Sequence, residues 1–428
     1  MKSETGMGAL AAARCAELGR PPYSEENEAL TRRYLTPAHK ATLEKLEEWM
    51  AEAGMSARLD AAGSLIGRYE GTKENAPALV IGSHVDSVRN AGFYDGPLGV
   101  MLGISCVQTL HARKKRFPFA IEVVAFGDEE GSRFPSSMLC SNVFSGEVER
   151  DLRKVERGSG KDETLLRDEA GVSLAEAMEA FGLDLEKIGD ARRTPDEVFA
   201  YLEAHIEQGP VLETEGLPVG AVTGIAGQAR VKVRIDGMAG HAGTTPMNLR
   251  HDALAAAAEA MLAIEARAKE GPTGLVATVG VLQSGPGATN VIPGRAEFTI
   301  DIRAPEDAIR DKATADIEKA LGDICKRRGV ALGFEVVQTL AAAPCDPKLT
   351  SMLADGIVDL GIHPRLLQSG AGHDAMVMSR LCPTAMIFIR CEKGISHNPA
   401  ENIDPADADV AARVMLRFIE KLEDRFQK

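Results

Sequence analysis

His84 and Asp86, one residue apart in Gly82-Ser-His-Val-Asp-Ser87, are followed by Asp95 and then by the adjacent acids Glu129 and Glu130. Imidazoles and carboxylates hold divalent metal ions, and a carboxylate beside them can also move protons. Each group sits at the end of an apolar run. Ala78–Ile81 reads as a buried strand, and so does Ile121–Phe126 despite its one acid, Glu122. His205 ends a third such run, Phe199–His205, and His397 lies in a loop just past a fourth, Thr384–Cys391. In an open α/β sheet ligands bind beyond the carboxyl ends of the strands, which is where these side chains fall.

Taken singly, each motif has a plainer reading. A buried histidine bonded to an aspartate explains His-x-Asp. A helix cap explains Asp95 in Phe93-Tyr-Asp-Gly-Pro-Leu-Gly99, and a solvated turn explains Glu129-Glu130. Together they say more. Acids or histidines recur after strand upon strand of one sheet, and adjacent carboxylates repel unless a cation lies between them. The joint pattern points to metal.

The composition narrows the field. The 63 acids and 49 bases leave a net charge of −14 and no long basic run, which excludes a nucleic-acid or anionic-membrane surface as partner. Hydrophobic residues at 44% and charged residues at 26% describe an ordinary globular protein, and no window has the uninterrupted apolar length of a membrane span. The amino terminus lacks a signal-peptide layout. The seven cysteines, an odd number with no Cys-x-x-Cys pair, are expected as free thiols in a reducing cytoplasm.

With 428 residues the chain is expected to form two domains. A helix over 38–53, a strand over 78–86, a helix over 99–112 and strands over 119–128 and 199–205 form βαβ order, hence a mostly parallel sheet. Residues 146–197 are charged and read as a surface excursion with a helical patch at 173–181. From about Leu217 the pattern changes to a strand over 230–236, an Ala-rich helix over 250–269, strands over 275–283 and 296–303, a helix over 305–328 and a strand over 330–337. That β-α-β-β-α-β order is ferredoxin-like. A final strand and a helix over 405–426 return to the first pattern. The expected architecture is a discontinuous α/β catalytic domain, 1–216 with 338–428, into which an α+β lid or dimerisation domain, 217–337, is inserted.

Nine segments in order carry a family resemblance. They are Trp49–Gly54, Asp60–Gly67, Gly82–Ser87, Asp128–Pro135, His205–Pro210, Gly240–Pro246, Asn290–Gly294, Ser369–Ala375 and Ile395–Glu401. The chain resembles the metallopeptidase-like superfamily of di-metal aminoacylases and carboxypeptidases, and most closely its allantoate amidohydrolases and N-carbamoyl-L-amino-acid hydrolases. The resemblance implies two divalent ions, bridged by Asp95, with His84 and His205 completing one site and Glu130 and His397 the other. Peptidase branches carry a carboxylate where His205 falls, so the histidine favours the amidase branch. Glu129 would be the general base and Asp86 would brace His84. His241 would stabilise the oxyanion, with the partner subunit as a possible source of that residue. Arg303 would clamp a substrate carboxylate, with Asn290 and Gln228 on substrate oxygens.

The implied reaction is hydrolysis of a linear C–N amide in a small ureido acid by a cytoplasmic homodimer. The Arg133-Phe-Pro-Ser136 turn leans towards allantoate. N-carbamoyl-L-amino acids are the next reading, then a metallo-aminopeptidase, and an inactive metal-binding scaffold is the alternative of another class. An intact Glu129 speaks against the last. Mixed histidine and carboxylate ligands suit Zn, Mn, Co or Ni, with Zn or Mn the expected pair. Met376, Met378 and Met386 read as core fillers, and Asp374 as a loop-positioning residue. His39, His111, His251 and His363 read as surface or capping residues, and Cys140 lacks a nearby histidine to activate it.

Overall fold

The computed structural model describes residues 6–147 and 166–426, so residues 148–165 of the charged excursion lie outside the described part. In chain order the first six strands are β1 (Ser56–Leu59), β2 (Leu65–Tyr69), β3 (Ala78–His84), β4 (Ala120–Phe126), β5 (Val198–Ile206) and β6 (Val219–Ile225). Next come β7 (Gly227–Asp236), β8 (Gly240–His241), β9 (Val276–Gly285), β10 (Val291–Ile292), β11 (Arg295–Ala304) and β12 (Ala331–Leu340). The last are β13 (Ala343–Pro344), β14 (Leu366–Ser369) and β15 (Thr384–Ile389).

The large sheet runs β1-β2-β4-β3-β5-β15-β6-β13, with β14 also on β6. Its centre, β4-β3-β5-β15, is parallel, and antiparallel β2 and β6 flank it. Every residue of β3, β4 and β15 is buried, as expected of parallel strands covered on both faces. Glu122, the one acid inside β4, survives there because Arg68 and Arg193 each approach it at 2.9 Å. Removing one partner of such a buried group costs about 3–5 kcal/mol. The helix Pro37–Glu52 starts at Thr36, whose hydroxyl accepts the His39 N–H, with Pro37 at its first position. The helix Leu174–Phe181 carries a full capping box from Ser173 and Glu176.

Residues 224–343 form the second unit. Its sheet is antiparallel in the order β12-β7-β11-β9, and the helices Ala253–Lys269 and Asp307–Arg328 complete the β-α-β-β-α-β arrangement. The alternation of the sequence decides which face is covered. Val231, Val233 and Ile235 of β7, with Phe298, Ile300 and Ile302 of β11, are buried with Ala256, Ala260, Ile317 and Leu321 of the helices. Their neighbours Lys232, Arg234, Glu297 and Thr299 line the open face. Each of the valine, isoleucine, leucine and phenylalanine side chains among them contributes about 1.5–3 kcal/mol on burial.

Three differences from the sequence reading have physical causes. The second unit begins at 224 rather than 217 because β6 pairs with β15, Val222 opposite Met386 through Val219 opposite Ile389. It ends later than 337 because β12 keeps its ladder with β7 through Leu340. His39 is neither a surface residue nor a side-chain cap. It is fully buried, stacked on Phe181 at 5.5 Å between ring centroids, and its Nδ1 accepts the Leu35 N–H at 3.2 Å. Burial lowers its pKa to about 3. The helices Met7–Leu18 and Pro347–Val358 had no sequence expectation.

Candidate metal centre

The parallel strands deliver their side chains to one edge of the sheet. His84 is the last residue of β3, His205 is next to last in β5, Glu129 and Glu130 follow β4, and His397 follows β15. Asp95 enters from the turn before the helix Pro97–Ala112. That helix begins at Gly96 without a side-chain cap, so Asp95 is not spent on capping. Gly96 is required where it stands, since its φ is +83° and a Cβ would lie 2.5 Å from the His84 ring.

Among the described residues, three groups of side chains have ligand atoms mutually within 4.8 Å: His84, Asp95 and His205; His84, Glu129 and Glu130; and Asp95, Glu130 and His397. Asp95 belongs to two of them. One of its oxygens lies 3.1 Å from His205 Nε2 and 4.0 Å from His84 Nε2, and the other lies 3.2 Å from His397 Nε2. His397 Nε2 is also 3.6 Å from Glu130. The Nδ1 atoms of His84 and His205 contact the backbone carbonyls of Asp86 at 3.0 Å and Ile206 at 2.9 Å. A carbonyl only accepts, so these nitrogens carry protons and leave Nε2 as the ring atom turned towards Asp95.

Electrostatics support the same reading. Burial and the charge of Asp95 push Glu130 up to about 8, and burial with the charge of Glu130 pushes Glu129 well above the carboxylate range. Burial lowers His84 to about 4 despite Asp95. Burial opposes protonation of His205 too, but its hydrogen bond to Asp95 prevails and raises it to about 9. Carboxylates that resist ionising beside one another, with imidazole Nε2 atoms aimed among them, fit divalent cations.

Asp86 does something other than the expected bracing of His84. The His84 ring is met by the Asp86 backbone carbonyl, while the carboxylate stands 3.7 Å away. That carboxylate instead accepts the N–H groups of Glu129 at 3.1 Å and Glu130 at 3.2 Å. The chain turns sharply after β4, with Asp128 at φ +60°, and these two amides leave the sheet ladder; Asp86 satisfies them.

The four remaining candidates lie in the second unit. The β8–β10 pairing sets His241 opposite Val291, and the Ala242 N–H donates to the Asn290 carbonyl at 2.9 Å, so His241 and Asn290 sit on adjoining turns. Gln228 lies opposite Arg303 in the β7–β11 register. Both reach Asp301: Gln228 Nε2 donates to it, and Arg303 Nε donates to it at 2.8 Å. The guanidinium expected to clamp substrate thus has a carboxylate partner in its own strand.

Sequence reasoning missed several contributors. Gln208 donates to Asp95 Oδ2 at 2.9 Å and reaches His397 at 3.4 Å. His373 packs its buried ring edge-on to His205, centroids 4.4 Å apart, and shares a 2.7 Å hydrogen bond with Ser369. Fully buried Arg32 donates to the carbonyls of Val85 and Leu18, holding the exit of β3. Gln208 lies within His205–Pro210 and His373 within Ser369–Ala375, but only the fold aims them. Asp374 is buried at the start of a short helix, whose Ala375 N–H is held by Glu203 at 2.8 Å, and Met376, Met378 and Met386 are core residues. The cysteines are free and buried, and Cys140 donates to the Ala62 carbonyl.

Fold and site define an α/β protein with a carboxylate–histidine cluster at the carboxyl edge of its parallel strands, and a ferredoxin-like unit inserted in the chain. The chain belongs to the peptidase family M20/M25/M40, whose model matches residues 80–421. It is 42% identical to an N-carbamoyl-L-amino acid amidohydrolase of Geobacillus stearothermophilus, covering 95% of each chain. It is 37% identical to allantoate deiminase 1 of Glycine max, over 96% of this chain and 89% of that one. A hydantoinase/carbamoylase-family amidase from Burkholderia multivorans superposes with a TM-score of 0.87 at 31% identity, covering 97% of both chains.

Proposed function

We propose that this protein hydrolyses a linear C–N amide bond in a ureido acid, using two divalent ions, Zn or Mn, held by His84, His205, Asp95, Glu130 and His397. The observation that carries the reading is the sharing of Asp95 between two ligand groups, one oxygen towards His205 at 3.1 Å and the other towards His397 at 3.2 Å. Such ions supply Lewis acidity that lowers the pKa of water and polarises a carbonyl. The side chains supply the rest. Glu129 takes the proton from water and returns it to the departing nitrogen, and Asp86 fixes the turn that presents it. His241 stabilises the oxyanion, while Asn290, Gln228 and Arg303 hold the substrate's oxygens and carboxylate.

The names of the relatives support the substrate class, since N-carbamoyl-L-amino acids and allantoate are both ureido acids. The 42% relative favours N-carbamoyl-L-amino acids. The Arg133–Ser136 turn that leans towards allantoate has its polar ends engaged internally, Arg133 on Asp168 and the Tyr34 carbonyl, Ser136 on Asp128. A homodimer through the second unit is supported by apolar side chains left exposed there, Leu262 at 68%, Val281 at 51% and Val336 at 46% among them. Among the described residues no helix is long and apolar enough to cross a membrane, and the free cysteines support a reducing, cytoplasmic location.

The test is a substrate panel. Protein loaded with Mn or Zn is given allantoate, N-carbamoyl-L-amino acids and dipeptides, and ammonia and amine release are followed. Turnover of one ureido acid with dipeptides untouched supports the proposal; preference for dipeptides refutes it.

A further inference from the structure

Asp95 is held in place from the far end of the chain. Glu401 is buried, and its Oε1 accepts the backbone N–H of Tyr94 at 2.8 Å and of Asp95 at 3.1 Å. Gly92 lets it come this close: a Cβ on Gly92 would lie 2.3 Å from the Glu401 Cβ. Glu401 stands in the loop that carries His397, which sits in a left-handed conformation with φ +54°. That loop is closed on itself by the Glu401 N–H to the Asn398 carbonyl at 3.0 Å and the Ala400 N–H to Asn398 Oδ1 at 2.9 Å. It is also tied at its end by the Glu392 N–H to the Asn402 carbonyl at 2.8 Å.

We propose that Glu401 is a positioning residue that clips the Asp95 turn to the His397 loop, fixing the separation of two ligands that reach the same ion. The inference rests on the two-ion reading above. Asp95 comes from the turn after β3 and His397 from the loop after β15, and these two strands are separated in the sheet by β5. No strand ladder joins the two directly. Through Glu401 the turn and the loop become one hydrogen-bonded body, with Asp95 Oδ2 3.2 Å from His397 Nε2. One oxygen makes both bonds, so the clip depends on an acceptor atom at the right reach, not on the negative charge. Glutamine keeps that oxygen; alanine removes it; aspartate keeps the charge but withdraws it by one methylene. Partners of this kind around metal ligands cost roughly 10–100-fold in metal affinity when lost.

Metal-free full-length protein and its Glu401→Gln, Glu401→Ala and Glu401→Asp variants are titrated with Mn²⁺ by calorimetry, with circular dichroism melts of the metal-free forms alongside. Two ions should bind the natural protein. Glu401→Ala and Glu401→Asp should weaken at least one site by roughly 10–100-fold, while Glu401→Gln stays within a few-fold. Unchanged affinity in Glu401→Asp overturns the clip, as does a loss in Glu401→Gln equal to that in Glu401→Ala, which would assign the effect to charge. If Glu401→Ala melts too low to titrate, Gly92→Ala, which displaces the same carboxylate, takes its place; it should weaken Mn²⁺ equally, and wild-type affinity there overturns the proposal. A natural protein that binds no Mn²⁺ fails the two-ion reading itself and is thereby told apart.

Discussion

Replacing Glu129 by glutamine separates a proton carrier from a ligand. The substitution is isosteric, and the contacts that set the turn are made by the Glu129 backbone. Its N–H donates to Asp86 at 3.1 Å and its carbonyl accepts from Met138 at 3.2 Å, so the turn should persist. The groups His84–Asp95–His205 and Asp95–Glu130–His397 do not contain Glu129, so two ions should remain. What is lost is the base. Such groups contribute roughly 10²–10⁴-fold, or about 3–5 kcal/mol of barrier, and kcat should fall by at least that factor. Glu130→Gln removes a ligand and should lower metal content instead. The assay pairs metal analysis with kcat on the best ureido acid from the panel. A rival assignment exists in the structure, because Glu129 also falls in a group with His84 and Glu130. Glu129→Gln losing an ion while Glu130→Gln keeps both would reverse the two roles. Near-normal kcat in Glu129→Gln at full occupancy would refute the mechanism.

Three further outcomes are expected. Arg303→Lys should lower kcat/KM for ureido acids roughly 10–150-fold with metal content unchanged, because lysine cannot reproduce a fork on a carboxylate. Unchanged kinetics would refute the clamp and leave Arg303 a role within its own unit, where it pairs with Asp301. Fully buried His39, with its pKa lowered to about 3, adds stability that is complete above the unfolded histidine value and is lost as pH falls towards that folded value. By about pH 5 that loss amounts to about 2 kcal/mol relative to the plateau above the unfolded value, so His39→Gln should show a shallower decline in denaturant unfolding as pH falls to about 5, and an identical slope would refute it. Light scattering at micromolar concentration should give a dimer; a monomer would remove the basis for a partner subunit's role at the site.

The sequence by itself determined the grammar of the fold. Period-2 alternation in β7 and β11 announced a sheet covered on one face, and the apolar runs of β3, β4 and β15, interrupted in β4 by Glu122, announced strands covered on both. It also marked the chemistry-bearing side chains, because parallel strands place their carboxyl ends along one edge and the polar residues follow those ends directly. These are local signals, written within a few residues of the feature they describe. Tertiary structure decided whatever depends on partners distant in the chain. That β6 joins the large sheet follows from β15, more than a hundred residues on, and this places the start of the second unit at 224 rather than 217. His39 has no acid or glycine beside it, yet Phe181 and Tyr34 close over it and make it a buried base. Asp86 and His84 share a motif, but only the turn after β4 shows that the Asp86 carboxylate belongs to the Glu129 and Glu130 amides. Glu401 lies 306 residues from Asp95 and holds it through one oxygen. A hydrogen bond acts over about 3 Å of space whatever the length of chain between its partners, and pattern along the chain carries no record of it.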